Sequence, residues 1–157
     1  MSQTIEKRLA ELGVELPVAA KSVANYLPVA ESGSLVLTSG QLPLADGKLI
    51  ATGLLGRDLE VAAGALAAKH CALNILAQAK AHLGSLERIA RIVKITVFVA
   101  STADFTEQHL VANGASDCLV AVFGEKGKHA RSAVGVAALP MNAPVEIEAV
   151  IEIASDQ

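Results

Sequence analysis

Between Lys128 and Ile153 the chain carries two runs of period-two alternation, separated by a connector with a proline near each end. In the second run Val145, Ile147, Ala149, Ile151 and Ile153 fall on one side and Glu146, Glu148 and Glu152 on the other, as in a half-buried strand. In the first, Ser132, Val134, Val136 and Ala138 alternate with Arg131, Ala133, Gly135 and Ala137. The pattern predicts an antiparallel hairpin with Leu139 to Pro144 as its connector and Ala138 opposite Val145, because a one-residue slip would set valines against glutamates. In that register Arg131, the small residues and the glutamates share the face away from the core. Arg131 lies opposite Glu152, and Glu146 is roughly 20 Å from Arg131 along the strands.

Upstream, Ile5, Leu9 and Leu12 at spacings of four and three, with charges between them, predict an amphipathic helix over about residues 2–13, packed on the body as an appendage. Val14 to Tyr26 is irregular, and Tyr26 with Pro28 reads as an edge or extended segment. Ser34 to Ser39 is a short strand running into Gly40-Gln41-Leu42-Pro43, followed by a turn at Asp46-Gly47, a brief strand to Ala51 and a loop or bulge over Gly53 to Gly56. Asp58 is placed to cap a helix from Leu59 to about Leu83, with Leu59, Ala62, Leu66, Leu73 and Leu76 on one stripe and Gly84 closing it. After a further helical turn at Ser85 to Arg88, Ile89 to Ala100 is strongly β-forming, with Val93, Ile95, Val97 and Val99 on one side and Lys94, Thr96 and Phe98 on the other. A second helix opens at Asp104 or Thr106 and runs to about Phe123, interrupted near Asn113-Gly114. This order predicts an α+β fold with helices on one face of a mixed sheet. The other face, rich in small and polar residues, suits subunit association.

Composition narrows the classes. The 157 residues, with 52% hydrophobic and 18% charged side chains, suit one compact domain spanning 1–157 and exclude a disordered chain. A net charge of −3 with 3% aromatics offers little to a phosphate backbone, so nucleic acid is not an expected partner. The group Lys126, Lys128, His129 and Arg131 reads first as a solvated loop entering a strand. Cys71 and Cys118 fall within helices without a CxxC pattern, which predicts two buried free thiols. No apolar leader or long apolar run is present, so neither secretion nor a membrane span is expected and the cytoplasm is the default.

Three segments, taken in order, resemble the RidA/YjgF family of enamine/imine deaminases, also labelled endoribonuclease L-PSP-like. They are Thr38-Ser39-Gly40-Gln41-Leu42-Pro43, then Val93 to Val99 followed by Asp104-Phe105, then Ala130-Arg131-Ser132 through Leu139-Pro140 to Val145-Glu146-Ile147-Glu148-Ala149. The resemblance implies a homotrimer of chorismate-mutase-like subunits with ligand clefts between neighbours. It implies hydrolysis of 2-imino acids, tautomers of reactive enamines, to 2-oxo acids and ammonium, with no metal and no organic cofactor. By matching positions, the substrate-carboxylate arginine is Arg131 and the water-positioning glutamate is Glu146, the two catalytic candidates. Ser39, Gly40, Tyr26 and Asn113 match further substrate-binding positions. Ala133 stands where familiar members carry a cysteine used largely through its backbone, so water placement survives the change and a thiol-dependent step does not. The loop at Gly53 to Arg57, the insertion around Gln108 to Asp117 and the N-terminal helix mark a divergent branch.

The residue types suit these roles. A guanidinium fork binds a carboxylate bidentately, and a carboxylate can orient the water that attacks an iminium carbon. Against this stands a structural ion pair between Arg131 and a strand glutamate, and a merely turn-forming Ser39. His70 and His82 fall on the long helix, His109 in a loop, and His129 beside the Arg131 strand. Since one substrate cannot reach both Arg131 and Glu146 within a subunit, a site using both is composite. A non-catalytic binder of small carboxylates is the competing function, and an endoribonuclease or RNA-binding role is a third.

Overall fold

The computed structural model describes residues 4–155. Its main sheet has five strands: β1 (Val29–Ser32), β2 (Leu35–Thr38), β5 (Ile89–Ala100), β6 (Ala130–Val136) and β7 (Val145–Ile153), in the order β1-β2-β7-β5-β6. A small hairpin, β3 (Leu44–Ala45) with β4 (Lys48–Leu49), turns through Asp46 and Gly47, both at positive φ, the mirror-image turn that matches strand twist. Two long helices, α2 (Val61–Leu83) and α3 (Gln108–Phe123), pack on each other and on one face of the sheet. The α+β class and the mixed sheet with helices on one face are as expected.

The terminal hairpin is not formed. β6 and β7 do run in opposite directions, but β5 lies between them, antiparallel to β7 and parallel to β6. Alternation specifies a strand with one buried face, not its neighbour. Here the long apolar β5 pairs on both edges, and the connector steps across it through a 3₁₀ turn (Pro140–Asn142) with Met141 and Asn142 at positive φ. Arg131 is therefore paired with Ile95, not Glu152.

Three local expectations also fail. Asp58 does not cap α2, since its carboxylate accepts from the Leu54 amide at 2.8 Å and pairs with Arg57, while the N-cap is Glu60 without a side-chain bond. The α2 stripe is shifted: Leu66 is 52% exposed and Ala62 is exposed, whereas Ala67, Ala68, Cys71, Ala72, Ile75 and Leu76 form the core face. β5 contains register shifts between Ile89 and Arg91 and between Ile92 and Lys94, so Ile92, not Val93, joins Ile95, Val97 and Val99 in the core. An extra residue in a strand reverses the alternation beyond it.

α3 begins at Gln108 and runs unbroken through Asn113 and Gly114, so His109 lies in its first turn and not in a loop. Gly114 is a packing residue: a Cβ there would fall on the backbone carbonyl of Ala65 in α2. Both cysteines are buried and free. Asn74 donates to the carbonyls of Leu42 and Leu44, and Gln78 donates to that of Ala20. These buried amides tie the irregular segments to α2, since each would be costly unpaired.

The N-terminal helix runs over Ile5–Glu11 (α1), and residues 2 and 3 of its expected span lie outside the described residues. It buries Leu9 and docks through Arg8 Nε, which donates to the Ala121 carbonyl at 2.8 Å. Among the described residues no helix is long and apolar enough to cross a membrane.

Gly114→Ala tests the helix contact. Alanine is better than glycine in an isolated helix by about 1 kcal/mol, yet the backbone clash requires α2 and α3 to separate. A net loss of about 1–3 kcal/mol is expected by urea unfolding.

Candidate functional site

Arg131 sits near the start of β6, an edge strand, on the same sheet face as its partner Ile95, which is the face covered by the helices. Its guanidinium does not enter the core. It turns along α3, where Nη1 donates to Asn113 Oδ1 at 2.9 Å and to Ser116 Oγ at 3.1 Å, and Nη2 donates to the His109 carbonyl at 3.3 Å. Residues 109, 113 and 116 fall on one helical face. Every one of these acceptors is neutral, and no carboxylate pairs with Arg131 among the described residues. The structural ion pair with a strand glutamate is not formed. Three of five guanidinium N–H groups are engaged, which leaves Nε–H and one N–H on Nη2, on adjacent nitrogens, for a ligand. Ala133, paired with Val97 on the same strand, is half-buried and packs against the core.

A second group of expected residues gathers around Glu146, which is paired with Phe98 and so projects from the opposite face of the sheet. Ser39-Gly40-Gln41 continues beside β7 after β2 ends: the Thr38 hydroxyl accepts from the Ala149 amide at 3.1 Å, and Gln41 exchanges backbone bonds with Ile147. This brings Gly40 under the Glu146 carboxylate so closely that a Cβ on Gly40 would overlap Oε1. Only glycine leaves the carboxylate its place. The Ser39 hydroxyl donates to the Leu27 carbonyl at 2.6 Å, and its amide to that of Pro28 at 2.9 Å. The serine thereby holds the Tyr26 segment against the sheet. Tyr26 and Gly40 line a common cavity of about 240 Å³ with Pro28, Gln41 and Leu42.

Glu146 is half-buried and has no hydrogen-bond or ion-pair partner among the described residues. Burial raises its pKa above the ordinary carboxylate value, and the neighbouring charge of Glu148 adds to the rise. A carboxylate held this way is a stronger base than one in water. Cys71 lies across the sheet with its thiol pushed well up by burial, its Sγ 3.6 Å from the Val145 carbonyl, and is not a nucleophile.

The structure thus brings Arg131 to Asn113 and Gly40 to Glu146, with Tyr26 on the cavity that Gly40 lines and Ser39 bonded to the backbone of Leu27 and Pro28, but it keeps the two groups apart. Their β5 partners, Ile95 and Phe98, are an odd number of positions apart, so Arg131 and Glu146 do not share a face as the hairpin register required. Along the strands they are separated by about 10 Å, and by a similar distance across two strand spacings. Ser116 was missed, and His129, read only as lying beside the Arg131 strand, joins it: Ser116 Oγ lies 2.9 Å from His129 Nε2, and His129 Nδ1 lies 2.6 Å from the Gly127 carbonyl. The available signal was the spacing of residues 109, 113 and 116 along an unbroken helix, which the expected interruption obscured.

A family model described as "YjgF/chorismate mutase-like, putative endoribonuclease" matches residues 6–153. The chain belongs to the RidA/YjgF family. Protein TCP17 of Trypanosoma cruzi is 48% identical over 153 residues, 97% of this chain and 96% of that protein. The crystal structure of a protein of unknown function from Agrobacterium tumefaciens is 56% identical, with a TM-score of 0.90 over 96% of this chain and 92% of that one. A 2-iminobutanoate/2-iminopropanoate deaminase of Dermatophagoides farinae is 28% identical over 89% of this chain and 94% of that enzyme. The chorismate-mutase-like fold that the resemblance implied is the one named in the family's description.

The raised pKa of Glu146 has a pH consequence. Its unfolded value is about 4.3, and below that both states hold the proton, so the folded-state preference for the neutral acid is fully present. That stability is lost as pH rises through the raised folded value. Glu146→Gln is therefore expected to raise the melting temperature slightly near neutral pH, with the gain vanishing in acid. Thermal melts across pH check this; a gain that grows in acid contradicts the assignment.

Proposed function

We propose that this protein hydrolyses small 2-imino acids to 2-oxo acids and ammonium, in clefts formed between copies of the chain. Arg131 of one subunit takes the substrate carboxylate through Nε–H and Nη2–H. Glu146 of a neighbouring subunit accepts a proton from the water that adds to the C=N carbon. The new C–O bond gives a carbinolamine, the proton passes to nitrogen, and the C–N bond breaks to leave the C=O and ammonium. Gly40 gives the Glu146 carboxylate room, Ser39 secures the Tyr26 wall, Asn113 holds Arg131, and Ala133 contributes its edge-strand backbone.

The observation that carries this reading is the Arg131 guanidinium, pre-oriented by neutral acceptors and left without a counter-charge among the described residues. A composite site is supported by the opposite faces of Arg131 and Glu146, which no small substrate spans within one chain. It is supported too by the uncovered sheet face, where Leu35, Leu37 and Val134 are 38%, 43% and 43% exposed. A second copy laid on that face covers those side chains, and three copies close the arrangement as a ring. The deaminase name of the Dermatophagoides farinae relative supports the reaction class. The competing reading, a carboxylate binder without turnover, is favoured by Ala133 at the position where familiar family members carry cysteine.

Ammonium release from 2-iminobutanoate, generated in situ by an amino acid oxidase, separates the two. Arg131→Lys is expected to lower kcat/KM by about 10- to 100-fold, the size of a lost bidentate charge-assisted contact. Glu146→Gln is expected to lower kcat by about 10²–10⁴, the usual contribution of a general base. Wild-type protein that binds 2-oxobutanoate through Arg131 yet releases no ammonium establishes the binder instead. A monomer by light scattering defeats the composite site.

A further inference from the structure

We infer that His129 and Ser116 are positioning residues that hold Arg131 in its carboxylate-receiving orientation, an inference that rests on the reading of Arg131 given above. With the His129 ring neutral, the hydrogen-bond chain has one self-consistent direction. A backbone carbonyl only accepts, so the 2.6 Å contact from His129 Nδ1 to the Gly127 carbonyl places the proton on Nδ1. In the neutral ring Nε2 is then an acceptor, and the Ser116 hydroxyl 2.9 Å away donates to it. With its proton committed to the histidine, Ser116 Oγ presents lone pairs to Arg131 Nη1 at 3.1 Å.

The geometry matters because a hydroxyl rotates. A serine free of His129 can turn its own proton toward the guanidinium and repel it, and Asn113, the other side-chain acceptor, is exposed, where water competes for its oxygen. The far end of the chain is rigid. Gly127 is buried against the α3 backbone so tightly that a Cβ there would overlap the Leu119 carbonyl, so the carbonyl that orients the ring is fixed by main-chain packing. From Gly127 through His129 and Ser116 to Arg131, each group sets the orientation of the next. A long arginine ordered before the ligand arrives loses less conformational freedom on binding.

Two measurements test this. In nitrogen NMR of histidine-labelled protein the neutral form of His129 is expected to carry its proton on Nδ1, whereas imidazole in water favours the other tautomer. A wild-type protein with the proton on Nε2 overturns the inference. By calorimetry with 2-oxobutanoate as probe, Ser116→Ala and His129→Ala are each expected to weaken binding by about five- to tenfold, the effect of one misplaced charge-assisted hydrogen bond. In turnover KM rises by the same factor and kcat holds. His129→Gln, whose side-chain oxygen can accept from Ser116, and Ser116→Thr are expected to recover most of the loss. His129→Gln binding as weakly as His129→Ala overturns the positioning role in favour of simple packing. Binding lost in Arg131→Lys but intact in His129→Ala defeats the network alone; equal binding by wild type and Arg131→Lys defeats the assignment of Arg131 and this inference with it.

Discussion

The pairing of β5 on both edges is the constraint from which the arrangement of this molecule follows. Its twelve residues are apolar on the helix side and take β7 on one edge and β6 on the other. The two terminal strands are thereby prevented from pairing with each other, and β6 is left as an edge. An edge strand carries an unpaired row of backbone groups. In this chain the edge also carries Arg131, whose side chain is long enough to leave the core-facing register and reach the polar stripe of α3.

The same pairing puts Glu146 on the outer face, over the backbone of Gly40. Both charged groups of the proposed site then lack a counter-charge among the described residues, a condition that stays tolerable because each is only half-buried. Burying a lone charge fully would cost several kcal/mol. A substrate with a carboxylate at one end and an electrophilic C=N carbon beside it answers the Arg131 charge and uses the basicity of Glu146. Under the proposed reading, the oligomer joins two half-sites that one sheet necessarily separates.

Around this centre, the elements read as additions serve to fix backbone. The buried amides of Asn74 and Gln78 anchor segments without regular structure, and α1 docks through Leu9 and Arg8. Gly114 allows α2 and α3 to approach at backbone distance. Their close contact in turn presents residues 109, 113 and 116 to β6. The expected break in α3 and the polar face that holds Arg131 are one feature: Asn113-Gly114 looks like a helix interruption because one residue is there for its side-chain oxygen and the other for its lack of a side chain.

Residue pattern alone determined most of the strands and helices, though not β1 or the unbroken course of α3, and with them the buried side of β7, the Asp46-Gly47 turn and the Gly84 stop, because these depend on local backbone preference and on burial of one face. Motif resemblance added Arg131, Asn113, Ser39, Gly40 and Glu146 as candidates. Tertiary structure decided which strand lies beside which. Alternation says that β6 and β7 each bury a face, but it carries no information about an intervening strand, and an inserted β5 puts Arg131 and Glu146 on opposite sides of the sheet. It also decided the partners of Arg131, since acceptors 15 to 22 residues upstream on the preceding helix become neighbours only once α3 is laid along the edge. Strand identity is a short-range property of the chain, whereas adjacency is settled by the competition among all strands for the same edges.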